Sequence, residues 1–163
     1  MEADAPAILV AIEQSSLGIT IRQSLWLYPV ANVGHILGLT AFAGSLAVLD
    51  LRLLGVFGAT RPTDVLIPAR RAAAAAFLVM LITGSILFIA EASHVALNPV
   101  FQAKVALILL ALGNAALLGG LALREADYMP AHTPFSGRVR FAAVVSVALW
   151  LTVAAAGRLI AYV

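Results

Sequence analysis

Residues 25–52 read LWLYPVANVGHILGLTAFAGSLAVLDLR, and this apolar stretch decides the fold. A membrane-spanning helix needs about 20 predominantly apolar residues, because each residue advances the chain by about 1.5 Å. Trp26 and Tyr28 open the stretch with rings that favour the membrane surface. His35 lies in its middle, where a titratable side chain indicates a function by default. We therefore predict a membrane span that carries a histidine-centred site.

The composition places the whole chain among integral membrane proteins. Hydrophobic residues make up 63% of it and charged residues 11%, and the mean hydropathy is +1.03. Ordinary soluble domains do not reach these values. The alternating pattern of a β-barrel is absent, so we predict an all-α fold. Cysteine is absent, which excludes disulfides and thiolate chemistry. The net charge of +2 comes from basic residues beside the spans, so we expect no nucleic acid partner.

Three further apolar stretches complete a predicted four-transmembrane-helix bundle. The four spans are expected near residues 25–50, 72–92, 99–123 and 141–162. Asn98 followed by Pro99 is a strong helix start, a capping side chain before a proline. We expect residues 24–163 to form the bundle. Residues 1–23 are expected to form an amphipathic segment in the membrane interface, broken near Gly18.

The arginines predict the orientation of the bundle. Two of the expected connections between spans carry most of them: Arg52, Arg61, Arg70, Arg71, Arg124, Arg138 and Arg140. Cytoplasmic loops of membrane proteins are enriched in lysine and arginine. Both basic connections are therefore expected in the cytoplasm and both termini on the opposite, outer side.

Polar residues from all four spans are expected to share a layer near the outer surface. At about 1.5 Å per residue, Asn32 and Arg158 lie about 6 Å and Lys104 about 8 Å below that surface. A buried cation is costly unless it is paired, so we expect Glu91 to form an ion pair with Lys104 or Arg158. The alternative is that both cations extend to the lipid headgroups.

His35 lies about 10 Å below the outer surface, just beneath this layer. One interpretation makes it an axial ligand of a haem, with the neighbouring glycines leaving room for the macrocycle. A second makes it a proton relay with Glu91. A third is purely structural, a hydrogen bond to Asn114 on another helix or to Thr40, with the glycines there for helix packing.

The other two histidines are weaker candidates. His94 qualifies as a second axial ligand only if the second span continues past Ser93, and it is otherwise an exposed interfacial residue. His132 belongs to the polar connection on the opposite side and is expected to face solvent. No P-loop, nucleotide fingerprint, zinc-protease motif or Ser-His-Asp order is present, so whether the protein is an enzyme stays open.

Two stretches resemble a family of small bacterial membrane proteins of unknown function. They are RQSLWLYPVANVGHILGLTAFAGSLAVLDLRLLG at 22–55 and ASHVALNPVFQAKVALILLALGNAALL at 92–118. The features that carry the resemblance are Trp26, Tyr28-Pro29, His35, Asp50-Leu51-Arg52 and Asn98-Pro99-Val100-Phe101-Gln102-Ala103-Lys104. The segment 104–114 is also similar to one helix of the copper-resistance D and protoporphyrinogen-oxidase-like membrane proteins, some of which bind haem through histidines. This second resemblance implies haem but not copper, because the chain lacks soft sulfur ligands. The resemblance to bacterial membrane proteins, together with the distribution of the arginines, implies a multi-pass protein of the bacterial inner membrane with periplasmic termini.

Three classes of function follow from these features. The first is a small haem b or redox protein whose outer polar layer holds the haem propionates or a quinone headgroup. The predicted cofactor-binding residues are His35, His94, Lys104, Arg158, Glu91, Asn32 and Asn114, with His35 as the metal ligand. The second class is a non-catalytic accessory or structural subunit, packed through small-residue faces (Gly34/Gly38 and Ala116/Gly120) into a homo-oligomer or a larger membrane complex. The third, ion or metal transport, needs a polar path, for which the inner halves of the spans offer only Thr40, Ser45 and Asn114. In all three the chain contacts membrane lipid.

Overall fold

The computed structural model describes residues 5–160, which form seven helices joined by short connections. Their bounds are α1 Ala7–Glu13, α2 Ser16–Gln23, α3 Leu27–Leu54, α4 Pro62–Ala90, α5 Ala92–Leu97, α6 Pro99–Ala126 and α7 Gly137–Leu159. Four of these, α3, α4, α6 and α7, are long and apolar enough to cross a membrane. The predicted all-α fold with four long apolar helices is therefore confirmed.

The second long helix begins ten residues earlier than its apolar pattern predicts. α4 starts at Pro62, where a proline at the first helical position lacks only an amide hydrogen that would be unpaired there anyway. Arg70 and Arg71 consequently lie inside α4. The connection expected between the spans 25–50 and 72–92 is therefore reduced to residues 55–61. The apolar window marks only the part of a helix that lipid can surround, and the polar first turns of α4 lie outside it.

The start of α6 is confirmed. The Asn98 side chain accepts hydrogen bonds from the backbone amides of Val100 (2.9 Å) and Phe101 (3.2 Å). These amides belong to the first turn, whose donors have no partner within the helix. Pro99 follows as the first helical residue.

The long helices pack as two pairs. α3 lies along α4, α6 lies along α7, and the pairs meet through α3 and α7. α4 and α6 touch at few points, so a gap remains between them. At mid-height the rings of Phe42, Phe77 and Trp150 pack together, with the Phe42 and Trp150 centroids 4.6 Å apart. We call the end where α3 begins and α4 ends the Glu91 end, and the opposite one the arginine end.

α1 and α2 have seven and eight residues and are too short to cross a bilayer about 30 Å thick. The break between them lies at Gln14 and Ser15, where the Ser15 hydroxyl accepts from the Gly18 amide. The expected break near Gly18 is therefore wrong. Gly18 is instead buried inside α2, where a Cβ would collide with the Glu13 carbonyl.

The N-terminal helices α1 and α2 are hydrogen-bonded to the junction between α4 and α5. The Glu13 carboxylate accepts hydrogen bonds from the Ser93 amide (2.9 Å) and the Ser93 hydroxyl. Arg22 donates to the carbonyl of Ala90 (2.9 Å) and lies 3.7 Å from Glu13. One carboxylate and one guanidinium thus satisfy backbone groups where α4 ends and α5 begins.

At the arginine end, the connection 55–61 between α3 and α4 packs against the connection 127–136 between α6 and α7. Arg52 is 1% exposed, donates to the carbonyl of Thr60 (2.9 Å) and lies with its guanidinium carbon 5.8 Å from the centre of the Phe135 ring. The backbone amide of His132 donates to the carbonyl of Gly58 at 2.7 Å. The side chain of His132 is exposed, as expected.

Candidate cavity site

A cavity of about 1130 Å³ lies between the long helices and runs along α3 from Tyr28 to Leu51. At 1.5 Å per residue that is about 34 Å, close to the thickness of a bilayer's hydrocarbon core. All four long helices contribute to its wall, which is mostly apolar. It exists because α4 and α6 stay apart. Common small-molecule sites measure about 300–1,000 Å³, so this cavity accepts a large ligand.

His35 lines this cavity with its ring held in one orientation. Its Nδ1 lies 3.0 Å from the hydroxyl of Thr83 on α4. The Thr83 hydroxyl already donates to the carbonyl of Val79 at 2.7 Å, so its oxygen must accept from Nδ1–H. The tautomer inferred from this network leaves the lone pair on Nε2. The hydrogen bond across helices that the structural alternative expected is present, but its partner is Thr83 rather than Asn114 or Thr40.

A glycine on α4 makes room for the His35 ring. A Cβ on Gly84 would lie 3.1 Å from Cε1 and 3.5 Å from Nδ1 of that ring. Gly84 also lines the cavity, whereas Gly34 and Gly38 do not. A Cβ on Gly34 would meet Thr83 at 3.1 Å, and one on Gly38 would meet Met80 at 3.0 Å. The expectation that the glycines beside His35 leave room for a macrocycle is therefore wrong, because they bring α3 close to α4 instead.

Lys104 is the cation that reaches the cavity. Its Nζ lies 3.4 Å from where a Cβ on Gly157 would be, so that glycine makes room for the ammonium group. The predicted ion pair with Glu91 is not formed in the described residues. The Glu91 carboxylate accepts a hydrogen bond from the Tyr28 hydroxyl at 3.2 Å. Both Glu91 and Tyr28 stand at the mouth of the cavity, where Glu91 is exposed.

The remaining predicted site residues divide into two groups. Asn32 and His94 line the cavity at the Glu91 end, and both are largely exposed. His94 lies on the separate short helix α5, because α4 ends at Ala90. Asn114 and Arg158 are absent from the cavity wall. Asn114 donates to the carbonyl of Ala142 at 3.1 Å and so joins α6 to α7, while Arg158 is exposed near the end of α7.

We call the two halves of the bundle the Glu91 half and the arginine half, after the ends they contain. The arginine half contains a polar cluster that the sequence analysis missed. Asp50 and Ser146 are 2% and 3% exposed and are hydrogen-bonded to each other between α3 and α7. Thr40 and Ser45, which were expected to supply the polarity there, donate to carbonyls of their own helix. The usable signal was the carboxylate of Asp50 itself, at the end of the predicted span 25–50, where it must find a partner.

The fold and the cavity define a helical protein of membrane type whose four apolar helices line a large, partly open cavity. The chain belongs to DUF6644, a family of unknown function whose model matches residues 12–163. This confirms the expected membership of an uncharacterised family; the likeness of one helix to the copper-resistance D proteins stays a resemblance. No curated protein and no solved structure matches the chain.

Proposed function

We propose that the protein is a membrane-embedded haem b protein in which His35 is an axial ligand. The observation that carries this proposal is the state of the His35 ring, which lines the cavity with Nδ1–H bonded to Thr83 and with no hydrogen bond at Nε2 from the described residues. Histidines that bind metals usually donate their other ring N–H to a second group, which fixes the ring and raises its basicity. Thr83 supplies that group here.

The residues present fit a porphyrin better than a metal ion alone. Within residues 5–160, no group of three or more histidine, aspartate or glutamate side chains could hold a metal ion. A metal at His35 therefore needs most of its ligands from a macrocycle. The cavity volume of about 1130 Å³ accommodates one, and its apolar wall suits the porphyrin faces.

The chain's own groups have distinct tasks in this proposal. Lys104 lines the same cavity and would give a haem propionate a charge-assisted hydrogen bond. Gly84 and Gly157 keep space for the imidazole and for the ammonium group. The rings of Phe42, Phe77 and Trp150 line the cavity at mid-height and would give a porphyrin an aromatic wall. A haem bound there would supply one-electron transfer.

The decisive experiment is the visible spectrum of the protein purified in mild detergent after expression with added haem precursor. We expect a sharp haem absorption band in the wild type and its loss in His35→Ala. His132→Ala is the matched control, because His132 is exposed on a connection and should keep the band. A colourless wild type, or an unchanged band in His35→Ala, would refute the proposal.

We further propose that the chain is a multi-pass protein of the bacterial inner membrane with periplasmic termini. Every arginine of the two basic connections lies at the arginine end of the bundle. The excess of positive charge supports a cytoplasmic location for that end. A reporter fused after Val163 should be active in the periplasm, and one inserted near Thr63 in the cytoplasm. The reverse pattern would contradict this orientation.

A second candidate function, an accessory subunit, is favoured by one face of α6. A Cβ added to Gly113 or Gly120 would meet no atom within 4 Å. The two positions are seven residues apart and share a helix face, on which Leu117 is 75% exposed. Small residues in such an arrangement allow a second helix to approach closely. Gly120→Leu should then abolish detergent-stable association without affecting the fold of the subunit. An unchanged oligomeric state would refute this function. Gly34 and Gly38 cannot serve it, because they pack against α4.

A further inference from the structure

Three buried polar side-chain atoms between mid-height and the arginine end have no hydrogen-bond partner among the described residues: Nε of Arg52, Oδ1 of Asp50 and Nε1 of Trp150. Arg52 is absent from the cavity walls, which leaves the Asp50 and Trp150 atoms within reach of a ligand. An unpaired buried polar atom costs about 1–3 kcal/mol, more when it is charged, so native proteins rarely leave one without a partner. One atom is an acceptor and the other a donor. A ligand that satisfies both must offer a donor and an acceptor.

Both residues stand at a place that a ligand can reach. A second cavity, of about 260 Å³, lies beside the first at the arginine half. Asp50 and Trp150 line both cavities, together with Phe42, Leu46 and Phe77. Ser146, which bonds Asp50, is one turn from Trp150 on α7, about 6 Å along the axis.

The surrounding walls select the chemistry of the ligand. Apart from Asp50, Arg70, Ser146 and Trp150, the small cavity is lined by apolar side chains and a glycine. The rings of Phe42 and Phe77 favour an aromatic ligand through offset or edge-on packing. The guanidinium of Arg70 rests on Gly119 in the same wall, with Nη1 2.9 Å from the position of a Cβ there, and disfavours a cation. An uncharged, lipid-soluble ring with hydroxyl groups meets all three conditions.

We propose that the arginine half of the bundle binds the ring of a lipophilic quinol, with Asp50 Oδ1 accepting from one hydroxyl and Trp150 Nε1–H donating to the other. Ser146 positions the Asp50 carboxylate, and the gap between α4 and α6 admits the ligand from the lipid. Asp50 lies fifteen residues and about 22 Å from His35 along α3, and the site shares its aromatic wall with the larger cavity. The site does not depend on bound haem.

The chain offers a direct optical test. It has two tryptophans, so Trp26→Phe leaves Trp150 as the only tryptophan reporter of the site. The protein is titrated in detergent with decylubiquinol under nitrogen, and the Trp150 emission is followed. We expect a saturable change, with half-saturation about tenfold higher in Asp50→Asn, because a hydrogen bond to a charged acceptor is worth more than one to a neutral acceptor. Decylubiquinone, which only accepts hydrogen bonds, should bind more weakly than the quinol.

The controls separate this site from partition into the micelle and from the haem proposal. Asp64→Asn removes an exposed carboxylate at the same end and should leave half-saturation unchanged. His35→Ala should also leave it unchanged; a rise there would place the ligand in the Glu91 half and overturn the assignment. An emission change that is linear in quinol concentration, and equal in the Trp26→Phe protein and in Asp50→Asn, would mean that the quinol only partitions into the micelle. That result would refute the site. Where Asp50→Asn fails to fold, Ser146→Ala decides: we expect about threefold weaker binding, and an unchanged half-saturation refutes the proposal.

Discussion

Replacing Gly84 with alanine tests the geometry around His35 without relying on a bound ligand. The added methyl group would lie 3.1 Å from Cε1 of His35. The ring must therefore move by a few tenths of an ångström. It is not free to do so, because Nδ1 is bonded to Thr83 and the Gly34 contact holds α3 close to α4.

The expected change in the free energy of unfolding of Gly84→Ala is the sum of three effects. Alanine in a helix interior is favoured over glycine by about 0.5–1 kcal/mol. Overpacking a tight contact costs about 1–3 kcal/mol. Weakening the bond between His35 and Thr83 adds up to about 1 kcal/mol. Gly84→Ala should therefore destabilise the protein by about 1–3 kcal/mol, with the steric effect larger than the gain in helix propensity.

Gly44→Ala is the matched control, since its Cβ would meet nothing within 4 Å. There the helix-propensity gain acts alone, and about 0.5–1 kcal/mol of stabilisation is expected. Thermal unfolding in one detergent compares the two variants, each kcal/mol corresponding to about 2–4 °C for a chain of this size. The midpoints should move in opposite directions. A Gly84→Ala protein that melts at or above the wild type would refute the described contact between His35 and α4.

Two further predictions concern the junctions at the Glu91 end. Hydrogen bonds from the hydroxyl and the amide of Ser93, with the charge of Arg22, hold the pKa of Glu13 below its ordinary value of 4.5. The charged form is therefore favoured by folding, so its stabilisation is fully present above pH 4.5 and is lost as the pH falls through the lowered pKa. Glu13→Gln should melt below the wild type at neutral pH and match it in acid; an equal gap at both pH values would contradict this. Asn98→Ala should cost about 1 kcal/mol of unfolding free energy by removing the cap of α6. Asn98→Ser should recover most of it, and chemical denaturation that finds Ala and Ser equivalent would show that the cap is not the cause.

Hydropathy and capping residues determined the architecture from the sequence alone. Four apolar stretches appeared as α3, α4, α6 and α7, because a helix that crosses lipid must satisfy its backbone internally and present apolar side chains. The start of α6 at Pro99 was also predictable, since a cap acts on amides two and three residues away. Such signals are local in the chain, so no knowledge of the packing was required. The sequence also marked His35 and Lys104 as unusual, and both line the cavity.

Only the tertiary structure decided which residues meet. Gly34 and Gly38 pack against α4, while Gly84 and Gly157 make room for His35 and Lys104. A span that is apolar on every side carries no stripe to show which face is internal, so its rotation cannot be deduced from periodicity. The partners of Asp50 depend on that rotation and on how the helices cross. The cavity depends on the separation of α4 and α6, which arises from the packing of all four helices. The sequence of no single helix shows this separation.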